Sequence, residues 1–340
     1  MPTNVVRRTL IWIAIALCGC SFAAGQTAPA KTQAVQAKTQ PAPLKAQAPP
    51  AVPPEVQKEI DALGSKDTNE RISAADKLGA MGPAAAPAIP HLIPLLRYHG
   101  LESIKVGDQL IAAFDLSASA AAAALARIGK PAFEPLRKRL SDPNAPEDAP
   151  YWAAVALARM NDPAATRLLL ATLKDPASPA REAVARALAH SADPQALNAL
   201  LGLAKDSDPK MRAAAIAGLE STKDPRAVDA MAAALHDGDP KVRRAAAGSL
   251  LHQPDPRAFD DLVRALKDSE DLVRNLCAQA LGAIKDKRAI EPLLELVTKD
   301  SDNLVRFQAG RALEALTGQK FGEDGARWQK WWQEQKVKQP

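Results

Sequence analysis

Five arginines recur at matching places along the chain: Arg181, Arg212, Arg243, Arg274 and Arg306. A column of guanidinium groups on one face could hold an anionic ligand. A second column, Asp175, Asp206, Asp237, Asp268 and Asp300, keeps the same spacing. Each arginine follows an acid-rich segment, as Arg243 follows Asp237 and Asp239. An Asp–Arg ladder between neighbouring units therefore accounts for both columns, through charge-assisted hydrogen bonds. We read the five arginines as structural.

Other residues with reactive side chains form no recognisable site. His91, His99, His190, His236 and His252 include no pair at ligand spacing on one helix. There is no Gly-rich phosphate loop and no nucleophile elbow. Cys277 aligns with Val184, Ala215, Ala246 and Ala309, the small-residue position of a helix, and reads as a small buried hydrophobe. Glu323-Asp324 is too sparse for a calcium loop. No catalytic residue, metal ligand or cofactor contact is expected. Asn198, Asp229, Asp260 and Glu291 form an acidic stripe, but they fall in the first turns of helices, where acids are favourable anyway. Trp328, Trp331 and Trp332 share one helical face near the C-terminus. They read as a cap over the open end of a repeat array, with a partner or glycan patch as the alternative.

The elements that place these residues repeat. Leu188, Leu219, Leu250, Leu281 and Leu313 run in phase with the Arg and Asp columns. So do the pairs Asp162-Pro163, Asp193-Pro194, Asp224-Pro225 and Asp255-Pro256, with Asp286-Lys287 in the same place. Each unit reads as two helices. Asp239-Pro240 caps and starts helix A, whose apolar face is Val242, Ala246 and Leu250. Asp255-Pro256 starts helix B, with Phe259, Leu262, Val263 and Leu266 on its face. Helices of about three turns are marginal alone in water, so the units must stack. Earlier units are more degenerate: Asp67–His99, Asp115–Ser141 and Pro150–Leu173. Residues 100–114 form an insertion between the first two, and Glu55–Leu63 is a candidate capping helix.

The segments DGDPKVRRAAAGSLLHQPDPRAFDDLVRALKD (237–268) and DSEDLVRNLCAQALGAIKDKRAIEPLLELVTKD (268–300) resemble HEAT repeats. They are most similar to the short bacterial HEAT-like repeats also found in phycobilin lyases. The resemblance spans roughly residues 60–316. It implies an all-α, right-handed solenoid of about eight helical hairpins, with helix A convex and helix B concave. The His-Glu metal motifs of hydroxylating HEAT proteins are missing. The tail TGQKFGEDGARWQKWWQEQK (317–336) resembles one seen on other exported bacterial HEAT proteins.

The net charge of +5 and pI of about 9.0 invite a nucleic-acid reading. However, Arg7, Arg8, Lys31, Lys38 and Lys45 precede Glu55 in a stretch without acids. The repeat region is formally neutral and has no cation surplus for phosphates. Arg7-Arg8 followed by the apolar run Leu10–Leu17 reads as an export signal over 1–25, too short to span a bilayer. Leu17-Cys18-Gly19-Cys20 resembles a lipobox, which would end the signal at residue 19 and lipidate Cys20. Cleavage after Ala23-Ala24-Gly25 is the other route. Residues 26–54 are Pro, Ala, Gln, Lys and Thr and read as a disordered tether; 55–316 is the solenoid and 317–340 the Trp-rich cap.

These features point to a non-catalytic protein–protein interaction scaffold in the bacterial envelope, periplasmic or anchored by lipid, with envelope proteins as partners. Two other classes stand beside it. One is an enzyme or enzyme-associated protein of the phycobilin-lyase type, which export opposes. The other is a nucleic-acid binder like the HEAT-like DNA glycosylases, which neutrality and export both oppose.

Overall fold

The computed structural model describes residues 51–97, 101–106, 109–114 and 116–338. The segment read as signal and tether, up to Pro50 and including Cys20, lies outside them, as does His99. From Ala51 onward the chain forms one unit.

Asp-Pro pairs set the rhythm of the fold. Asp162, Asp193, Asp224, Asp255 and Asp286 each accept the amide two residues ahead, at 2.6–2.9 Å. This satisfies a donor that the first helical turn cannot use. Asp67, Asp208 and Asp239 do the same for A helices, and Asp302 accepts the amide of Val305, three residues ahead. Proline at the first helical position costs nothing there, because its missing N–H would be unpaired anyway.

A capping helix, α1 (Pro54–Ala62), precedes the first hairpin. The A helices are α2 (Thr68–Ala80), α4 (Ser117–Ile128), α6 (Ala149–Arg159) and α8 (Arg181–Ala187) in the first four hairpins. They continue as α10 (Pro209–Leu219), α12 (Pro240–His252), α14 (Asp271–Ile284) and α16 (Asn303–Thr317). The first B element is broken: α3 (Ile89–Leu92) sits between two 3-10 turns, because Pro83, Pro87, Pro90 and Pro94 remove the donors of a regular helix. The later B helices are α5 (Phe133–Leu140), α7 (Pro163–Lys174), α9 (Pro194–Leu203), α11 (Pro225–Ala234), α13 (Phe259–Ala265) and α15 (Ile290–Lys299). The chain ends on α17 (Gly325–Lys338). The insertion forms an antiparallel hairpin, β1 (Leu101–Val106) with β2 (Gln109–Phe114), pairing Leu101 with Phe114.

The fold is an all-α solenoid carrying that one hairpin. Val242, Ala246 and Leu250 are fully buried between repeats, as are Leu262 and Leu281. Each buried Leu contributes roughly 1.5–3 kcal/mol. The A helices pack more closely on one another than the B helices do. Their faces are alanines and glycines, so backbones approach, whereas the B helices stand apart and leave grooves between them.

Gly218 shows how tight the A layer is. A Cβ there would stand 2.7 Å from the Ala185 carbonyl oxygen and 2.9 Å from Leu200 Cδ2. Alanine gains about 1 kcal/mol of helix propensity, but overpacking costs about 1–3 kcal/mol. Gly218→Ala is expected to lower stability in urea denaturation, against the propensity trend. An equal or higher midpoint would show that the layer has slack.

Candidate functional site

The Arg and Asp columns meet across repeat boundaries. Arg181 donates to Asp206 at 2.7 Å. Arg212 donates from Nε and Nη2 to both oxygens of Asp237, each at 2.7 Å. Arg243 grips Asp268 at 2.7 and 3.1 Å, and Arg274 grips Asp300 at 2.7 and 2.9 Å. In Arg212, Arg243 and Arg274 the remaining nitrogen, Nη1, turns back to its own repeat, whereas Arg181 turns back through Nε, to the Leu173 carbonyl at 2.8 Å. Arg212 Nη1 donates to the carbonyls of Asp206 and Ser207, and Arg274 Nη1 to those of Asp268 and Ser269. Each carboxylate also accepts an amide two residues on, as Asp268 does from Glu270. The guanidinium is thus consumed within the fold, its side chain only 13% exposed at Arg274.

These pairings fix the protonation of the acids. The Arg212 hydrogen bond is the main cause that holds Asp237 below the usual carboxylate range. Burial pushes Asp268 and Asp300 up, but the Arg243 and Arg274 hydrogen bonds, with the amides of Glu270 and Asp302, more than offset it.

Sequence reasoning missed the start of this pattern. Arg71 makes the same return contacts, from Nη1 to the carbonyls of Ser65 and Lys66, and reaches Ser117 of the next repeat from Nε. Asp67 four residues earlier was the available signal, since Asp208–Arg212, Asp239–Arg243 and Asp302–Arg306 share that spacing.

The acidic stripe is also engaged. Arg226 reaches back to Asn198 at 3.2 Å. Arg257 lies in the field of Asp229, and Arg288 in that of Asp260. Glu291 meets Trp332 Nε1 at 3.3 Å and pairs with Lys336. At the last position, α17 supplies the cation that the next B helix would have carried.

The tryptophans pack that helix down. Trp328 is fully buried, donates to the Gly322 carbonyl at 2.9 Å and stacks edge-on against Phe321. Trp331 and Trp332 are half-buried against the core. Gly325 lies against Thr298 of α15, while Trp332 and Lys336 reach Glu291 near its start. α17 therefore runs antiparallel to α15, the reverse of a regular B helix. The linker doubles back along α16 to allow this. Gly322 passes so close to Gly310 that any Cβ on Gly310 would collide with the Gly322 carbonyl.

Cys277 is fully buried, and burial pushes its thiol far from the thiolate. His236 pairs with Asp261 at 2.7 Å, His252 with Glu220 at 3.0 Å, and burial lowers the His190 pKa. Among the described residues no group of three His, Cys, Asp or Glu could hold a metal. Tyr151 and Trp152, which the sequence reading passed over, stack at 5.0 Å beside Arg186.

This architecture defines an α-solenoid of helical hairpins. A model of HEAT repeats matches residues 108–189, 166–248 and 231–314, more than half of the chain. The chain belongs to the HEAT-repeat family. No curated protein matches it. Among solved structures it is similar to human deoxyhypusine hydroxylase in complex with glycerol, at 21% identity over 78% of this chain and 96% of that one, TM-score 0.34. It is also similar to the CpcE–CpcF complex of phycocyanin lyase from Nostoc sp. PCC7120, at 19% identity over 86% and 98%, TM-score 0.32. A mutant of Kap121p matches at 13% identity over 77% of this chain and 33% of its own, TM-score 0.44.

Arg243→Ala is expected to cost about 2–3 kcal/mol, the scale of hydrogen bonds to a charged group that leave a carboxylate unpaired. Urea denaturation measures it. The ladder also makes stability depend on acid. Its carboxyls titrate lower in the folded chain than in the unfolded one, near 3.9 for Asp. Their contribution is complete above about pH 4 and is lost as pH falls through the lower folded values. Denaturation midpoints between pH 5 and 2 should drop less steeply for Asp268→Asn than for the wild type.

Proposed function

We propose that this HEAT-repeat protein is a non-catalytic interaction scaffold of the bacterial cell envelope that binds envelope proteins. The observation carrying this reading is the row of grooves in the B layer. The groove between α13 and α15 has a volume of ≈ 640 Å³ and is lined by Val263, Leu266 and Leu296, with Lys267, Glu295 and Lys299 beside them. An equivalent groove of ≈ 500 Å³ lies between α9 and α11, beside Leu201 and Ala230. Apolar walls with charged rims suit extended or helical protein segments, and the repeat places such grooves at regular intervals. Export rests on Arg7-Arg8 and the Leu10–Leu17 run. The half-buried Trp331 and Trp332 serve this reading as the edge of the cap.

Crosslinking in intact cells, followed by purification of the full chain, is expected to recover a reproducible set of envelope proteins. Recovery of cytoplasmic pigment proteins or nucleic acid in their place would overturn the reading. Mass measurement of the mature N-terminus should give either a lipidated Cys20 or an unmodified Gln26. An uncleaved Met1 would remove the envelope from the proposal.

A further inference from the structure

The ladder does not close at its C-terminal end. Arg306 occupies the same place as Arg212, Arg243 and Arg274. Its Nη1 makes the same return contacts, to the carbonyls of Asp300 at 2.8 Å and Ser301 at 3.3 Å. Its Nη2 touches Asn303. In Arg274 the Nε and Nη2 edge grips a carboxylate of the following repeat. For Arg306 no carboxylate among the described residues lies within ion-pair distance. The guanidinium is therefore anchored through Nη1 as in the repeats before it, while Nη2 is held by Asn303 of its own helix and Nε meets no carboxylate among the described residues.

The surface around that edge turns apolar over the last two repeats. Leu304 stands where Lys210 and Lys241 stand in earlier A helices, and Phe307 where Ala213, Arg244 and Asn275 stand. Asn275 is buried by the next A helix, at 5% exposure, whereas Phe307 is 44% and Leu304 58% exposed. Leu272 of α14 adds a third exposed apolar side chain nearby in the column. A terminal repeat ordinarily turns a polar face outward for solubility. This one keeps the leucine that α14 already carries at that place, Leu272, and puts phenylalanine where Asn275 stands. The C-terminal helix does not cover them, because α17 lies along α15 in the other layer.

We propose that this end of the A layer is a docking surface for an acidic helix start of a partner protein. The partner supplies an Asp two residues ahead of its helix cap, as Asp300 precedes Asp302, and apolar side chains on the first two turns. The carboxylate takes Nε of Arg306 and displaces Asn303 from Nη2, and the helix covers Phe307 beside Leu304. Charge complementarity selects this occupant over a second copy of the chain. A two-fold contact would set one Arg306 against another, and the acids from Asp206 to Asp300 in this chain already hold an arginine. The inference rests on the scaffold reading and specifies one of its surfaces.

The probe is a fluorescent peptide spanning residues 237–268, a repeat with Asp237 and the Asp239 cap at its start. Its binding to the full chain is followed by anisotropy up to millimolar peptide. Saturable binding is expected. It should weaken at least tenfold for Arg306→Ala, for the exposed substitution Phe307→Asp, and for a peptide carrying Asp237→Asn. The combination of Arg306→Asp with an Asp237→Arg peptide should recover part of the loss. Circular dichroism checks that each variant is folded, and Phe307→Asp keeps the test decisive if the arginine variants are not. No binding, or equal binding by Arg306→Ala and Phe307→Asp, overturns the proposal. So does self-association of the chain that Phe307→Asp abolishes, which would assign the face to a second copy. Envelope partners captured equally by wild type and Arg306→Ala would leave the scaffold reading standing while this one fails.

Discussion

From the fourth hairpin to the eighth, a guanidinium held at both ends connects one repeat to the next. Arg243 donates inward to the Asp237 and Gly238 carbonyls and outward to the Asp268 carboxylate, and Arg274 takes over from the Asp268 carbonyl. The result is one continuous chain of hydrogen bonds along the A side of the solenoid. Helices of ten residues or so cannot hold their shape alone. The clamp fixes the loop that starts each A helix, and so fixes the cap Asp and the angle at which the next hairpin packs. A pair of this kind costs desolvation as well as supplying attraction. Its most direct effect is on register, since a hairpin shifted by one residue would lose both contacts.

That use of charge shapes what is left for function. The arginines from Arg181 to Arg274 are satisfied by the next repeat's aspartates, and the B-helix acids Asp229 and Asp260 lie in the field of Arg257 and Arg288. The parts of the surface with unspent capacity are the grooves between B helices and the last rung at Arg306.

The periodic part of this arrangement was legible in the sequence because identical contacts impose identical residues. Asp, Arg, Leu and Asp-Pro columns mark helix starts, clamps and core positions from Asp162 to Leu313. The Asp column steps by 31 residues until the last step, Asp268 to Asp300, of 32; that extra residue hid nothing, since Arg274 still reaches its partner at 2.7 Å. The ends were less legible. Arg71 was obscured by a degenerate first repeat whose B element is broken by four prolines. The hairpin in the insertion obeys a different periodicity from its surroundings. The reversal of α17 is set by Gly310 and Gly322 meeting across a tight passage, which no local pattern announces.

The ladder also gives the solenoid an uneven mechanics. Along the A side, short charge-assisted bonds and close backbone contacts resist any widening between repeats. Along the B side, helices that barely touch can spread or close with little change in contact. Bending is then easiest about an axis running near the arginines, like a book whose spine is the row of clamps. A guest entering one B groove would open it by a small rotation at the spine, and the neighbouring grooves would feel that rotation through the same bonds.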